Sequence, residues 1–202
     1  VEIFSIVVAF GIFTVFWNAR FFARHGFALF LGVAFVNVAI VDLLHTLAYS
    51  GMGVFASEGS DLATQLWIFA RFMQAGALLV APAFLRRTLR GDATMLTFAT
   101  FTTLVLASIF ALDVFPACYD EAAGGLTAFK VASELGICVL LLFSGLFFWA
   151  RRRLLDRLVL WLLIASLAFM LVSELFFTFY QGPYDEVNRL GHVLKVFAFY
   201  ML

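Results

Sequence analysis

The sequence predicts an all-α fold: an integral membrane bundle of about seven transmembrane helices, with the N-terminus outside and the C-terminus cytoplasmic. Three observations carry this expectation. Of the 202 residues, 64% are hydrophobic and only 13% are charged. A soluble domain is nearer half apolar, so lipid must cover surface that a fold of this size could not bury. The apolar residues fall into seven long runs, and the connections between those runs alternate in charge.

A spanning helix needs about 20 mostly apolar residues. The first run covers roughly 1–19 and the second roughly 28–49. The third, roughly 62–86, has Asp61 placed as an N-cap and Pro82 placed to kink its inner half. The fourth covers roughly 93–115, and the fifth, roughly 127–150, has Thr127 as its expected N-cap. The sixth covers roughly 157–180. The seventh, from roughly 189 to the end, is shorter than a full span and is expected to continue past Leu202. Gly51, Gly53, Gly124, Gly125 and Gly182 stand at helix ends, where turns need them. With no internal repeat or low-complexity linker, residues 1–202 read as a single domain.

Orientation follows from the connections. Arg20 and Arg24 lie in the first, Arg86, Arg87 and Arg90 in the third, and Arg151, Arg152, Arg153 and Arg157 in the fifth, together nine of the 13 Lys and Arg. The second, fourth and sixth hold Glu58, Asp61, Asp120, Glu121, Asp185 and Glu186 against a single Arg189. Positive charge marks the cytoplasmic side, so the odd connections are assigned inward and the even ones outward.

Composition also excludes function classes. The formal net charge is zero, which argues against a nucleic-acid partner. Cys118 and Cys138 offer neither a disulfide framework nor metal spacing. No P-loop, H-E-x-x-H, G-x-S-x-G or nucleophile-with-base pattern is present, so the chain is not expected to be an enzyme.

The remaining ionisable residues are the informative ones. Asp42, His45, Arg71, Lys130, Glu134, Glu174, His192 and Lys195 lie inside the apolar runs, where such groups are costly and mark function by default. At about 1.5 Å per residue, all eight fall in the outer half of the membrane. Residues three or four apart share a helix face. Asp42, His45 and Tyr49 therefore form one stripe, and Trp67, Arg71 and Gln74 another. Lys130 pairs in spacing with Glu134, Glu174 with Thr178, and Asn188, His192 and Lys195 complete the set. Five helices thus offer polar stripes at one level, expected to turn inward around a shared cavity or network. Asp42, Glu134 and Glu174 balance Arg71, Lys130 and Lys195, the cheapest way to hold ions at low dielectric.

Several readings of this layer stand side by side. A purely structural network would fix helix register. A switchable network or a site for a small polar ligand or proton would make it sensory. His45 and His192, at similar depth on different helices, could hold a haem iron or a transition metal, or serve as hydrogen-bonded partners of Asp42 or Glu174. A small transporter or channel is a further class, disfavoured because no polar path continues through the inner half.

Seven segments also carry a resemblance: V-E-I-F-S-I at the start, D-L-L-H-T-L-A-Y-S-G-M-G-V-F at 42–55, T-Q-L-W-I-F-A-R-F at 64–72, F-P-A-C-Y at 115–119, G-L-T-A-F-K-V-A-S-E at 125–134, S-E-L-F-F-T-F-Y at 173–180 and G-H-V-L-K at 191–195. With these, the chain resembles the third type of bacterial membrane-associated sensor domain. The resemblance implies an N-terminal input module in the inner membrane. The expected output is a histidine kinase or diguanylate cyclase in the same chain, working in two-component or cyclic di-GMP signalling and generally as a homodimer. It brings no catalytic residues and no assigned ligand.

Overall fold

A backbone in hydrocarbon must satisfy its own hydrogen bonds, and a helix does so within one segment. The computed structural model, which describes residues 2–22, 25–49, 51–55, 59–179 and 185–202, folds each apolar run in this way. The helices are α1 (Glu2–Ala19), α2 (Phe27–Leu47), α3 (Asp61–Val80), α4 (Gly91–Phe110), α5 (Ala128–Ala150), α6 (Arg157–Phe179) and α7 (Glu186–Tyr200). The expectations placed on Arg24, Glu58, Tyr180 and Gly182 lie outside the described residues. Among the described residues six helices are long and apolar enough to cross a membrane, and α7 has 15 residues.

Packing joins α1 to α2, α2 to α3, α3 to α5, α5 to α6, α6 to α7 and α7 back to α1, which closes a ring. The remaining helix, α4, leans on the outside of α2 and buries only Thr102 and Ile109 among its own residues. Its inward anchor is a polar contact, from Thr102 Oγ1 to Asn37 Oδ1 at 3.1 Å. Close approach of α6 and α7 rests on small residues, as is common between helices in lipid. Ser166 Oγ donates to the Ala198 carbonyl at 2.7 Å, and Ser173 Oγ to the Gly191 carbonyl at 2.8 Å. A Cβ added at Gly191 would meet the Phe177 ring at 2.8 Å.

The two ends of the bundle differ in chemistry. At the arginine-rich end, Arg20 lies over the rings of Trp17 and Phe21, and Arg152 over Trp149. Arg151 Nη1 also donates to the Pro82 carbonyl at 3.1 Å. Pro82 does more than kink the third helix: α3 stops at Val80 and residues Ala81–Phe84 form a 3₁₀ turn. The fourth helix is likewise shorter than expected. It ends at Phe110, and the backbone amides of Leu112, Val114 and Phe115 fold back onto the carbonyls of Ala107 and Ser108 around Asp113 at φ 50°.

The opposite end carries a β-hairpin that the apolar pattern did not anticipate. Its strands, β1 (Tyr119–Asp120) and β2 (Gly125–Leu126), pair antiparallel. Asp120 Oδ1 accepts from the amides of Ala122 and Ala123, and Gly124 supplies the positive φ of 66° that closes the turn. Thr127 caps α5 as expected, its side chain accepting from the Lys130 amide. Asp61 does not cap α3. That position belongs to Ser60, and the Asp61 carboxylate instead accepts from the amides of Cys118 at 2.6 Å and Tyr119 at 2.8 Å, tying the hairpin to the start of α3. Both cysteines are free and buried. Burial, followed by the neighbouring Asp61 charge, pushes the Cys118 thiol up to about 12.

Candidate functional site

The polar stripes of five helices do turn inward, at the hairpin end, and Trp67 stands at their centre. Its indole N–H donates to Glu134 Oε1 at 3.2 Å. Its ring faces the guanidinium of Arg71 at 4.8 Å and Lys195 Nζ at 4.6 Å. The rings of Phe177, His45 and His192 pack around it at 4.5, 5.3 and 5.5 Å. Trp67 is therefore shared by Glu134, Arg71 and Lys195, although its sequence signal was only its spacing from Arg71.

On one side of Trp67 the pairs cross between helices. Arg71 Nη2 donates to both oxygens of Asp42 at 2.6 Å, while Nη1 donates to Gln74 Oε1. Lys195 Nζ lies 3.4 Å from Asp42 Oδ2 and 2.5 Å from Glu2 Oε2. His192 Nδ1 lies 2.7 Å from Glu2 Oε1. Glu2 was absent from the sequence-derived set, yet it closes the ring between α1 and α7. The signal was available, because Glu2 sits in the first turn of α1 at the level of the first two turns of α7. Nothing in the spacing of one chain, however, links position 2 to positions 192 and 195.

On the other side, Lys130 Nζ pairs with Glu134 Oε1 at 3.0 Å and donates to the Phe177 carbonyl of α6. Glu174 of α6 is in hydrogen-bond contact with Glu134. It also borders, with Arg71, Gln74 and Met170, a void of about 10 Å³. All eight predicted residues thus meet in one connected assembly. With Glu2 added, the assembly holds four carboxyl groups (Glu2, Asp42, Glu134 and Glu174) and three Lys and Arg.

Above this layer lies a cavity of about 40 Å³. His45, Trp67, Phe177 and His192 form its inner walls, and Ser60 and Tyr119 come from the connections above. The histidines do not pair with Asp42 or Glu174. His45 Nδ1 lies 2.7 Å from the Ala63 carbonyl. A carbonyl can only accept, so Nδ1 carries the proton and Nε2 keeps its lone pair. That Nε2 is buried without a hydrogen-bond partner among the described residues. His45 and His192 both pack on Trp67, and the cavity they line, at about 40 Å³, is far smaller than a porphyrin. Among the described residues no group of three or more His, Cys, Asp or Glu could hold a metal ion.

Six apolar helices of spanning length among the described residues, five of them closed with α7 around an ionic assembly, define a multi-pass membrane protein built around a buried polar centre. The chain belongs to the MASE3 family, membrane-associated sensor domains, whose family model matches residues 1–202, and its role is that of a sensory input domain. No curated protein and no solved structure matches the chain.

Proposed function

We propose that the chain detects an extracytoplasmic or intramembrane stimulus at the hairpin end and passes it through α7 to a cytoplasmic output. On this reading the hairpin end faces outward and the arginine-rich end faces the cytoplasm of a bacterial inner membrane, as the charge of the connections requires. Residues 1–202 act as one domain, and the output is a histidine kinase or diguanylate cyclase working as a dimer.

The observation that carries the proposal is where α7 is held. Its first turns are tied by Lys195 to Glu2 and Asp42 and by His192 to Glu2, and the helix then runs toward the arginine-rich end, with Ala198 opposite Ser166 of α6. A ligand shifts such an equilibrium only by binding its two states with different affinity. The polar assembly offers that difference, because loss of one pair changes what α7 is docked against. The test is output activity in membranes from a chain joined to a kinase or cyclase output, comparing wild type with Glu174→Gln, His192→Ala and Lys195→Met at matched expression. Basal output is expected to change severalfold in at least one. Output indifferent to all three would refute the proposal.

A further inference from the structure

The cavity presents a specific chemistry. Its walls are largely aromatic faces, from Tyr49, Trp67, Tyr119 and Phe177. His45 lines this wall on a side chain 4% exposed, and its Nε2, an acceptor in the neutral ring whose Nδ1 proton goes to the Ala63 carbonyl, is buried with no partner among the described residues. No Lys or Arg is among the described lining residues, because Arg71 and Lys195 are held below by Asp42 and Glu2. Beneath the cavity, Glu2 reaches it through His192.

An acceptor lone pair among aromatic rings favours a donor that is also a cation. Aromatic faces attract cations through the ring quadrupole, and a buried acceptor left unpaired costs free energy that a donor recovers. Size narrows the class. A site of this kind needs roughly 10–15 Å³ to hold one water, and 40 Å³ therefore takes only a few heavy atoms. We infer that the cavity bounded by His45, Trp67, Tyr119 and His192 binds a small ammonium-type cation, ammonium itself or a short protonated alkylamine. One N–H is directed to His45 Nε2 and the charge rests among the rings. This inference deepens the sensory reading above, on which its biological meaning rests. Binding itself can be measured without any output.

The test uses a chain in which Trp17, Trp149 and Trp161 are replaced by Phe, leaving Trp67 as the single tryptophan reporter on the cavity wall. Methylammonium chloride is titrated into this protein in mild detergent at constant pH and ionic strength, with sodium chloride and methanol as the charged and neutral controls. A saturable change in Trp67 emission is expected with methylammonium and with neither control. Loss of one hydrogen bond or one aromatic wall should raise the midpoint about tenfold. His45→Phe and Tyr119→Ala remove these in turn, the second in a half-buried connection where misfolding is not a concern. No saturable change, the same change with either control, or an unmoved midpoint in both variants would overturn the inference. Binding as expected together with an output indifferent to methylammonium would instead overturn the sensory reading and leave the site standing.

Discussion

Replacing Lys195 by Met removes one cation from between two carboxylates and keeps most of the apolar stem. Lys195 Nζ lies 2.5 Å from Glu2 and 3.4 Å from Asp42, on a side chain 3% exposed. At an effective dielectric near 20, each pair at roughly 3 Å is worth about 5 kcal/mol before desolvation is counted. Desolvation of the ammonium offsets much of this in the intact protein. The single variant recovers that cost but leaves Glu2 and Asp42 buried with less compensation. Breaking a buried pair from one side costs roughly 3–5 kcal/mol, and Lys195→Met is expected in that range. Asp42 keeps the two-oxygen contact with Arg71, so the stranded charge is chiefly Glu2. Neutralising it as well, in Glu2→Gln/Lys195→Met, should return at least about 2 kcal/mol, because removing both partners is far cheaper than removing one. The assay is unfolding in mixed detergent micelles, followed by tryptophan emission, for wild type, both singles and the double. Additive losses in the double variant, or a loss below about 1 kcal/mol for Lys195→Met, would refute the assignment of Glu2 as the partner that closes the ring.

Two other perturbations have definite signs. Asp61→Ala frees the amides of Cys118 and Tyr119 and should cost about 3 kcal/mol at roughly 1.5 each; in a Cys138→Ser background it should also turn Cys118 from unlabelled to labelled by maleimide at pH 8. Burial raises the Cys118 thiol from its ordinary 9.0 to about 12, so the unfolded chain releases this proton first, and the folded state should lose stability as pH rises from about 9 toward 12, an effect absent in Cys118→Ser. Glycine contrasts test the α6–α7 contact: Gly191→Ala meets the Phe177 ring at 2.8 Å and should cost about 1–3 kcal/mol. Gly76→Ala, with nothing within 4 Å, should gain about 0.5–1 kcal/mol in the same melts.

Legibility in the sequence tracked the range of the interaction. Helix existence is a local property of apolar runs, and the seven expected runs are the seven helices found, mostly within a few residues. Boundaries were lost where a single residue overrode the run. Pro82 converts the end of the third run into a 3₁₀ turn, and Asp113 at positive φ stops the fourth five residues early. The polar stripes were legible because helical spacing is local, and cost in lipid gave a reason for them to converge. Pairing partners were not, since Glu2–Lys195 and Asp42–Arg71 join residues 193 and 29 positions apart. Asp61 illustrates the same limit: its place before an apolar run matches a cap, but two amides from the α4–α5 connection compete for its carboxylate.

Division of the charges explains why Trp67 matters more than any single ion. Glu2, Asp42, Arg71 and Lys195 compensate one another across α1, α2, α3 and α7. Lys130, Glu134 and Glu174 on α5 and α6 hold the extra carboxylate. The two groups meet through the indole, whose N–H belongs to Glu134 and whose face belongs to Arg71 and Lys195. Trp67 is also a wall of the cavity. A ring that moves to accommodate a guest cannot keep both sets of contacts, because a close-packed interior switches between discrete arrangements and does not deform smoothly. Lys195 is the one cation on that ring carried by α7, so on the proposed reading α7 is the helix that registers the choice.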